Sequence, residues 1–174
     1  MSVLSRIRGY TLVELMVALA AGSFLLAGVS LSYSAIKGTI TVSKELENAQ
    51  EVIRYTSKVF NRSIKQTPTV PVLAADGSTI TISQPAGVIS CNGSVSAAAI
   101  TEVYSLAGSN LMCAIGAAPA ERLLTGVAQL SFAIDNNIVT INVGPENLPA
   151  QFGNTIAIDI AVSNVILNNA FGGV

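Results

Sequence analysis

The sequence contains no histidine and no tryptophan, and it has only two cysteines. Histidine is the commonest general base near neutral pH and the commonest metal ligand. Without it, a nucleophile has no obvious base, and two cysteines alone give too few soft ligands for zinc. No glycine spacing fits a phosphate-binding loop. We therefore expect no enzyme activity, no cofactor and no bound metal.

Positive charge is nearly absent from the second part of the chain. Residues 1–65 contain eight Lys and Arg against four acids, which gives +4, whereas residues 66–174 contain Arg122 against six acids, which gives −5. Binding to DNA without sequence preference requires clustered Lys or Arg to neutralise phosphates. We therefore predict no nucleic-acid partner for residues 66–174.

Proline is absent from the first 67 residues, which contain one long apolar run from Gly9 to Leu31. Glu14 is the only charged residue between Arg8 and Lys37. About 20 apolar residues cross the roughly 30 Å hydrocarbon core as a helix. Arginines just before the run would stay cytoplasmic, so the rest of the chain would face outward. An intramembrane carboxylate is costly, which makes Glu14 a candidate functional residue.

An amphipathic pattern follows the apolar run. The simplest interpretation is one helix from about Tyr10 to Ile64, with a membrane-spanning half over residues 10–36 and an amphipathic half over residues 37–65. On the side of the helix opposite its apolar face, basic residues repeat every four positions. They form either a solvated face or a ridge that contacts acidic neighbours. They are Arg54, Lys58 and Arg62. The apolar face has spacings of three, four or seven. Its members are Val42, Leu46, Ala49, Ile53, Phe60 and Ile64.

From residue 66 onward the sequence predicts a head of short antiparallel strands. The clearest hairpin joins Val127–Ile134 to Ile138–Val143 through residues 135–137. A turn at these residues explains Asp135 better than a Ca²⁺ site does. We expect residues 117–122 to be a loop or a short helical turn, and Gly144–Asn154 to be a long loop. Thr155–Leu167 is apolar enough to be a final, central strand, with fraying beyond it.

The two cysteines, Cys91 and Cys113, lie in the part of the chain predicted outside the cytoplasm. That compartment is oxidising, so the first expectation is a disulfide between them. A ring of this size stabilises the fold by about 3 kcal/mol in the chain-entropy model. Two free buried thiols are the alternative.

The N-terminal stretch resembles the class III signal of type IV pilins and of type II secretion pseudopilins. A short basic leader ends at Gly9, an aromatic residue follows at Tyr10, and residues 11–15 read T-L-V-E-L. The resemblance implies that residues 1–9 are a leader, that prepilin peptidase cleaves after Gly9 and methylates the Tyr10 amine, and that Glu14 pairs with such an amine during assembly. A cleaved secretory signal and a plain signal anchor are the alternatives, although the run exceeds a usual h-region and contains Glu14.

The head also resembles that of PilW-type minor pilins, and J-type pseudopilins share its general layout. The motifs are residues 91–93 (CNG), 102–105 (EVYS), 111–113 (LMC) and 123–130 (LLTGVAQL). The resemblance implies an α+β pilin-like fold, in which a long N-terminal helix packs on an antiparallel β-sheet head over residues 66–174. It implies a minor pilin that sits in inner-membrane lipid with a periplasmic head and then joins other pilins in a surface pilus. A pseudopilin or a pilus-tip binding subunit is the alternative.

Overall fold

The computed structural model of the chain describes residues 11–149 and 152–171. Its first element is one long helix, α1 (Leu12–Gln66), which agrees with the single helix predicted from the sequence. The chain divides into two compact units, with the boundary between Ser43 and Lys44. The boundary falls inside α1, so each unit contains part of this helix.

In the first unit, α1 exposes its apolar side chains. Leu12, Phe24 and Leu31 are 75%, 79% and 75% exposed, and the most apolar 18-residue window has a mean hydropathy of 2.1 with none of it buried. By length and composition this helix can cross a membrane. An apolar helix segment that is not buried against any of the described residues needs lipid or another protein around it.

Hydroxyl side chains in this part of α1 bond to the helix backbone. Each donates to a carbonyl three or four residues earlier, at 2.7 to 3.1 Å. This local bond satisfies the hydroxyl where no water is available, so these residues are compatible with an apolar surrounding. They are Ser23, Ser30, Ser32, Thr39 and Thr41.

In the second unit, α1 buries one face against the head. The buried stripe begins at Ala49, because Val42, which the periodicity included, is 56% exposed, and Leu46 is half-buried. Phe60 lies at the centre of the core, with its ring centroid 4.8 Å from that of Tyr104 and 5.4 Å from that of Phe132. The stripe consists of Ala49, Val52, Thr56, Val59, Phe60, Ser63 and Ile64.

Five antiparallel strands form the first sheet, in chain order from one edge to the other. They are β1 (Val72–Leu73), β2 (Ile80–Gln84), β3 (Ile100–Ala107), β4 (Asn110–Ile115) and β5 (Glu121–Thr125). The expectation of a loop or helical turn over residues 117–122 is wrong at its end, because Glu121 and Arg122 already pair with β4. An edge strand tolerates exposed charges, which hid the strand pattern at these two positions.

Three antiparallel strands form the second sheet: β6 (Val127–Asp135), β7 (Ile138–Pro145) and β8 (Ile156–Ala161). The predicted hairpin between the first two is confirmed, since Asp135 pairs with Ile138 across a two-residue turn. Asn136 has φ 53°, a left-handed conformation that Asn tolerates. β7 is the central strand, with Val139, Ile141 and Val143 fully buried.

The prediction of a central strand over Thr155–Leu167 is wrong in two respects. β8 is an edge strand, and it ends at Ala161, after which α2 (Ser163–Phe171) begins. Ala161 pairs with Ile138, the first residue of β7, and the last backbone bond of the ladder runs from the Val162 amide to the Asn137 carbonyl in the turn, at 2.8 Å. An uncharged apolar run fits a strand or a packed helix equally well, and the end of the neighbouring strand decides between them.

Candidate functional site

The predicted processing site, Gly9 and Tyr10, lies outside the described residues. The described chain starts one residue later, at Thr11, immediately before α1. The amide of Glu14 donates to Thr11 Oγ1 at 3.2 Å, and the amide of Leu15 donates to the Thr11 carbonyl at 3.1 Å. Thr11 is therefore the N-cap of the helix.

Glu14 occupies the third helical position after this cap. The spacing T-x-x-E is that of a capping box, and an acid in the first turn also complements the helix dipole. Glu14 thus has a local structural role in the first turn of α1, and the motif T-L-V-E carries the signal for it. Any test of the assembly hypothesis must separate the charge of Glu14 from its capping position.

The carboxylate of Glu14 lies in an apolar setting. Glu14 is exposed, and its neighbours Val13, Leu15 and Val17 are 68%, 58% and 63% exposed. Within residues 11–149 and 152–171, no cation lies within ion-pair distance of Glu14. A carboxylate in a helix that enters lipid or a protein core requires a partner. The described residues supply no such partner to Glu14.

The basic residues of α1 do not form one uniform ridge. Arg54 pairs with Glu51, with Nη2 2.7 Å from Oε1, on a side chain that is 67% exposed. Arg62 is half-buried, and its Nη2 donates to the Ser90 carbonyl at 2.9 Å, so it holds a head loop to the helix. Lys58 is exposed. Of these three basic residues, Arg62 therefore contacts the head, whereas Arg54 and Lys58 face outward.

A disulfide joins Cys91 to Cys113, as the sequence predicts for an oxidising compartment. The bond connects the loop after β2 to β4, across 22 residues of sequence. Cys113 lies on β4 and pairs with Tyr104 on β3, the central strand of the five-stranded sheet, so the bond holds the loop beside that strand. The disulfide therefore fixes the loop that contains Cys91 next to the buried residues Glu102 and Tyr104.

Glu102 is a fully buried carboxylate that connects four elements of the head. Its Oε2 accepts hydrogen bonds from Ser63 Oγ at 2.7 Å, Tyr104 OH at 3.0 Å and Gln84 Nε2 at 3.1 Å. Its Oε1 accepts a bond from the backbone amide of Cys91. A buried carboxylate is tolerated when several donors replace its lost hydration. Here the donors come from α1, β2, β3 and the disulfide loop.

The sequence did contain a sign of this network. Glu102 lies between Ile100 and Tyr104 on the same face of an alternating strand. The pattern therefore predicts that Glu102 is buried together with these two residues. Burial, followed by the nearby charge of Glu102, raises the pKa of Tyr104 above the ordinary tyrosine value. Ser63, Glu102 and Tyr104 are all 0% exposed, so no substrate reaches them and the network is structural.

The hairpin at residues 135–137 has the features of a turn. Asn136 Nδ2 donates to Asp135 Oδ1 at 3.0 Å, which uses one of the oxygens that a cation would need. Across the described part of the chain, no three His, Cys, Asp or Glu residues are grouped as metal ligands.

A family model described as the prokaryotic N-terminal methylation motif matches residues 4–30. The match includes residues 4–9 of the predicted leader, the cap at Thr11 and residues 12–30 of the exposed part of α1. No curated protein matches the chain. The motif supports a type IV pilin-like or pseudopilin-like protein, and such a motif implies a structural role, not an enzymatic one. It is also consistent with processing by prepilin peptidase, with assembly with other pilins and with anchoring in the inner membrane.

Proposed function

We propose that this protein is a minor pilin that is anchored in the bacterial inner membrane and assembles into a type IV pilus. The observation that carries the proposal is the methylation motif at residues 4–30, on a helix whose apolar side chains are exposed from Leu12 to Ile36. In this proposal, residues 1–9 are removed, residues 10–36 span the membrane, residues 37–65 form the amphipathic half of the helix and residues 66–174 are the periplasmic head. The head motifs favour a PilW-type subunit.

Glu14 is proposed to guide assembly. Cleavage after Gly9 creates a charged amine at Tyr10, four residues from Glu14, and methylation keeps this amine basic. The amine of the same or a neighbouring subunit is the cation that the carboxylate lacks among the described residues. A pair inside an apolar core would fix the axial position of an incoming subunit.

The first experiment determines the mature N-terminus by mass spectrometry of protein from membranes and from sheared pili. We expect a chain that starts at methylated Tyr10, and we expect Gly9→Val to leave the full-length precursor in the membrane. A mature chain starting at Ala35 or later would contradict the pilin proposal, because the apolar half of α1 would be lost. A chain that is inserted but never cleaved would identify a plain signal anchor.

The second experiment separates charge from capping at Glu14. Glu14→Gln keeps a side chain that can complete a capping box but removes the charge, whereas Thr11→Ala removes the cap and keeps the charge. We expect both variants to be inserted and cleaved, and we expect Glu14→Gln, like Glu14→Ala, to be depleted from pili. Normal incorporation of Glu14→Gln, with loss of Thr11→Ala, would show that capping is what assembly requires.

The location of the protein decides among the alternatives. Labelling of the head in purified pili places a minor pilin along the shaft or at the tip. A subunit confined to the tip would favour a binding role for the head, and one found in a secretion pseudopilus would favour a pseudopilin. Absence from every filament, despite correct cleavage, would overturn the proposal.

A further inference from the structure

The loop between β2 and β3 contains a closed turn around Asn92. The amide of Ser90 donates to the Ser94 carbonyl at 2.8 Å, and the amide of Gly93 donates to the Ser90 carbonyl at 3.0 Å. These two backbone bonds close the turn at its base. Asn92 and Gly93 are therefore exposed at the tip of an ordered turn.

Asn92 and Gly93 form the one Asn-Gly pair in the sequence. The backbone nitrogen that follows an asparagine can attack the carbonyl carbon of its side chain and close a five-membered imide ring. A Cβ on the following residue obstructs this attack, and glycine has none. No atom lies within 4 Å of the position that a Cβ on Gly93 would take, so the turn is open on this side.

The side-chain oxygen of Asn92 is surrounded by hydrogen-bond donors. It accepts a bond from the backbone amide of Ser94 at 3.1 Å, and the hydroxyls of Ser90 and Ser94 each lie 2.7 Å from it. The Ser90 hydroxyl also lies 2.8 Å from the Ser94 carbonyl and 2.9 Å from the Ser94 hydroxyl, so its single proton has several acceptors. When a nitrogen attacks the side-chain carbon, negative charge develops on this oxygen, and fixed donors stabilise that charge as in an oxyanion hole.

The side-chain nitrogen of Asn92 has the opposite surroundings. Among the residues that the structure describes, none bonds to this nitrogen, and Asn92 is exposed. The nitrogen can therefore take a proton from water and leave without breaking a contact inside the head. Two other asparagines differ, because Asn110 Nδ2 donates to the Ala107 carbonyl at 3.3 Å and Asn136 Nδ2 donates to Asp135 Oδ1 at 3.0 Å.

From this geometry we propose that Asn92 is a site of spontaneous deamidation, for which the turn itself supplies the nucleophile and the oxyanion donors. The Gly93 nitrogen gives its proton to hydroxide and bonds to the side-chain carbon of Asn92. The bond from that carbon to Nδ2 then breaks, and ammonia leaves. Water next adds to one of the two imide carbonyls and opens the ring, so water is the one reactant that is consumed. Opening at the side-chain carbon yields aspartate, and opening at the main-chain carbon yields isoaspartate.

The two products affect the loop differently. Aspartate keeps an acceptor oxygen at the position where the donors converge, so it adds a negative charge without changing the turn. Isoaspartate adds one carbon to the main chain before Gly93, which displaces the Gly93 amide from the Ser90 carbonyl. The same carbonyl accepts the bond from Arg62, and the neighbouring Cys91 forms the disulfide. Isoaspartate at this position therefore disturbs the contact between the loop and α1.

The test is incubation of the full-length protein in detergent, at mildly alkaline pH, in water enriched in heavy oxygen. Peptide mass spectrometry after reduction identifies each asparagine converted during the incubation, because its new carboxylate carries one heavy oxygen. Electron-transfer fragmentation separates aspartate from isoaspartate. We expect Asn92 to convert well ahead of Asn110 and Asn136, which are internal controls in the same sample. Conversion of either control at the pace of Asn92, or an unchanged Asn92, would overturn the inference.

Variants of the donor residue test the role of the turn. Ser94→Ala removes one hydroxyl and keeps the backbone amide, so the conversion rate of Asn92 should fall about fivefold, less than at a buried oxyanion hole because water replaces part of the donor. Ser94→Thr restores a hydroxyl and should restore the rate. Ser83→Ala, at an exposed serine on β2, is the matched control and should leave the rate unchanged. A wild-type rate in Ser94→Ala, or an equal loss in Ser94→Ala and Ser94→Thr, would show that the donors do not assist and would overturn the inference.

Discussion

The two parts of α1 have the same backbone and opposite environments. In residues 12–43 nearly every side chain is exposed, and Phe24 is 79% exposed. In residues 44–66 one face is buried, and Phe60 is 0% exposed within an aromatic cluster. The first part contributes no core to the described chain, whereas the second part supplies one wall of the head.

This difference separates two kinds of sequence requirement. Residues 12–36 must be apolar on all sides, with Glu14 as the exception, and must satisfy their hydroxyls locally, because their surroundings are lipid or other helices in the function proposed above. Residues 44–66 must be apolar on one face only, and their polar face is free to carry charge. Substitutions of the same type in the two parts should therefore have different consequences.

The largest difference is expected for matched phenylalanine substitutions. Phe60→Ala should lower the free energy of unfolding of the head by about 4 kcal/mol, because it removes a fully buried ring that contacts Tyr104 and Phe132. Phe24→Ala should leave head stability unchanged. Hydrogen exchange of head peptides in increasing urea, on full-length protein in detergent, measures the effect without interference from the anchor.

If Phe24→Ala destabilised the head as much as Phe60→Ala, the two parts of the helix would not be energetically independent. Loss of Phe24→Ala from pili, with a stable head, would instead locate the role of Phe24 in packing between subunits.

A smaller effect, still confined to the second unit, is expected for the disulfide. Replacing both Cys91 and Cys113 by Ser should cost about 3 kcal/mol of head stability, since the unfolded chain regains the freedom of the closed loop. Membrane insertion and cleavage should be normal, because the bond lies entirely in the second unit. Alkylation after mild unfolding reports the free thiols, and full alkylation of the folded wild-type protein without reductant would contradict the bond.

The sequence predicts the first part of α1 more completely than the head. An apolar run from Leu12 to Leu31 predicts a helix surrounded by lipid or by other helices, and the local motif T-L-V-E contains the signals for both the cap and the acid. In the head, single residues depend on distant partners. Glu102 is explained only when Ser63 and Gln84 approach from other elements, and nothing in the sequence around Glu102 identifies them.

The end of the chain shows the same limitation. Apolar composition around Val165 is compatible with a strand, and the change to α2 depends on where β7 begins, far earlier in the chain at Ile138. Long-range register of this kind is not encoded in a local pattern. Glu14 is different again, because the partner proposed for it is the Tyr10 amine of the same or a neighbouring subunit, which lies outside the described residues, and the proposal came from the motif.

A further comparison uses alkaline pH. Burial and Glu102 raise the pKa of Tyr104, so the folded head holds its proton to higher pH than the unfolded chain, whose tyrosine titrates near pH 10. This contribution is present below about pH 10 and is lost as pH rises beyond it, by about 1.4 kcal/mol per pH unit for one proton. Tyr104→Phe should lower stability by about 2 kcal/mol at neutral pH by removing a bond to a buried carboxylate.

The Tyr104→Phe variant should also have a shallower decline of head stability above about pH 10 than the wild-type protein, because a phenylalanine side chain has no proton to lose. The comparison of the two slopes is the measurement, since other tyrosines and the lysines titrate equally in both proteins. Equal slopes would mean that Tyr104 ionises without unfolding the head.

The smallest effect is expected for matched glycine substitutions. Gly77 has φ +68°, and a Cβ there would lie 2.9 Å from the backbone oxygen of Phe132, whose amide donates to the Gly77 carbonyl at 2.8 Å. Gly77→Ala must either strain this turn or move it away from β6, so we expect a loss of about 1.5 kcal/mol of head stability.

Gly28 lies in the exposed part of α1, and a Cβ there meets no atom within 4 Å. Gly28→Ala should leave head stability unchanged and favour the helix itself. Its incorporation into pili is the informative readout, because a methyl group at a close helix contact would reduce assembly without altering the head. Urea-dependent hydrogen exchange and quantification in sheared pili distinguish the two outcomes, and a destabilised head in Gly28→Ala would contradict the independence of the two parts of α1.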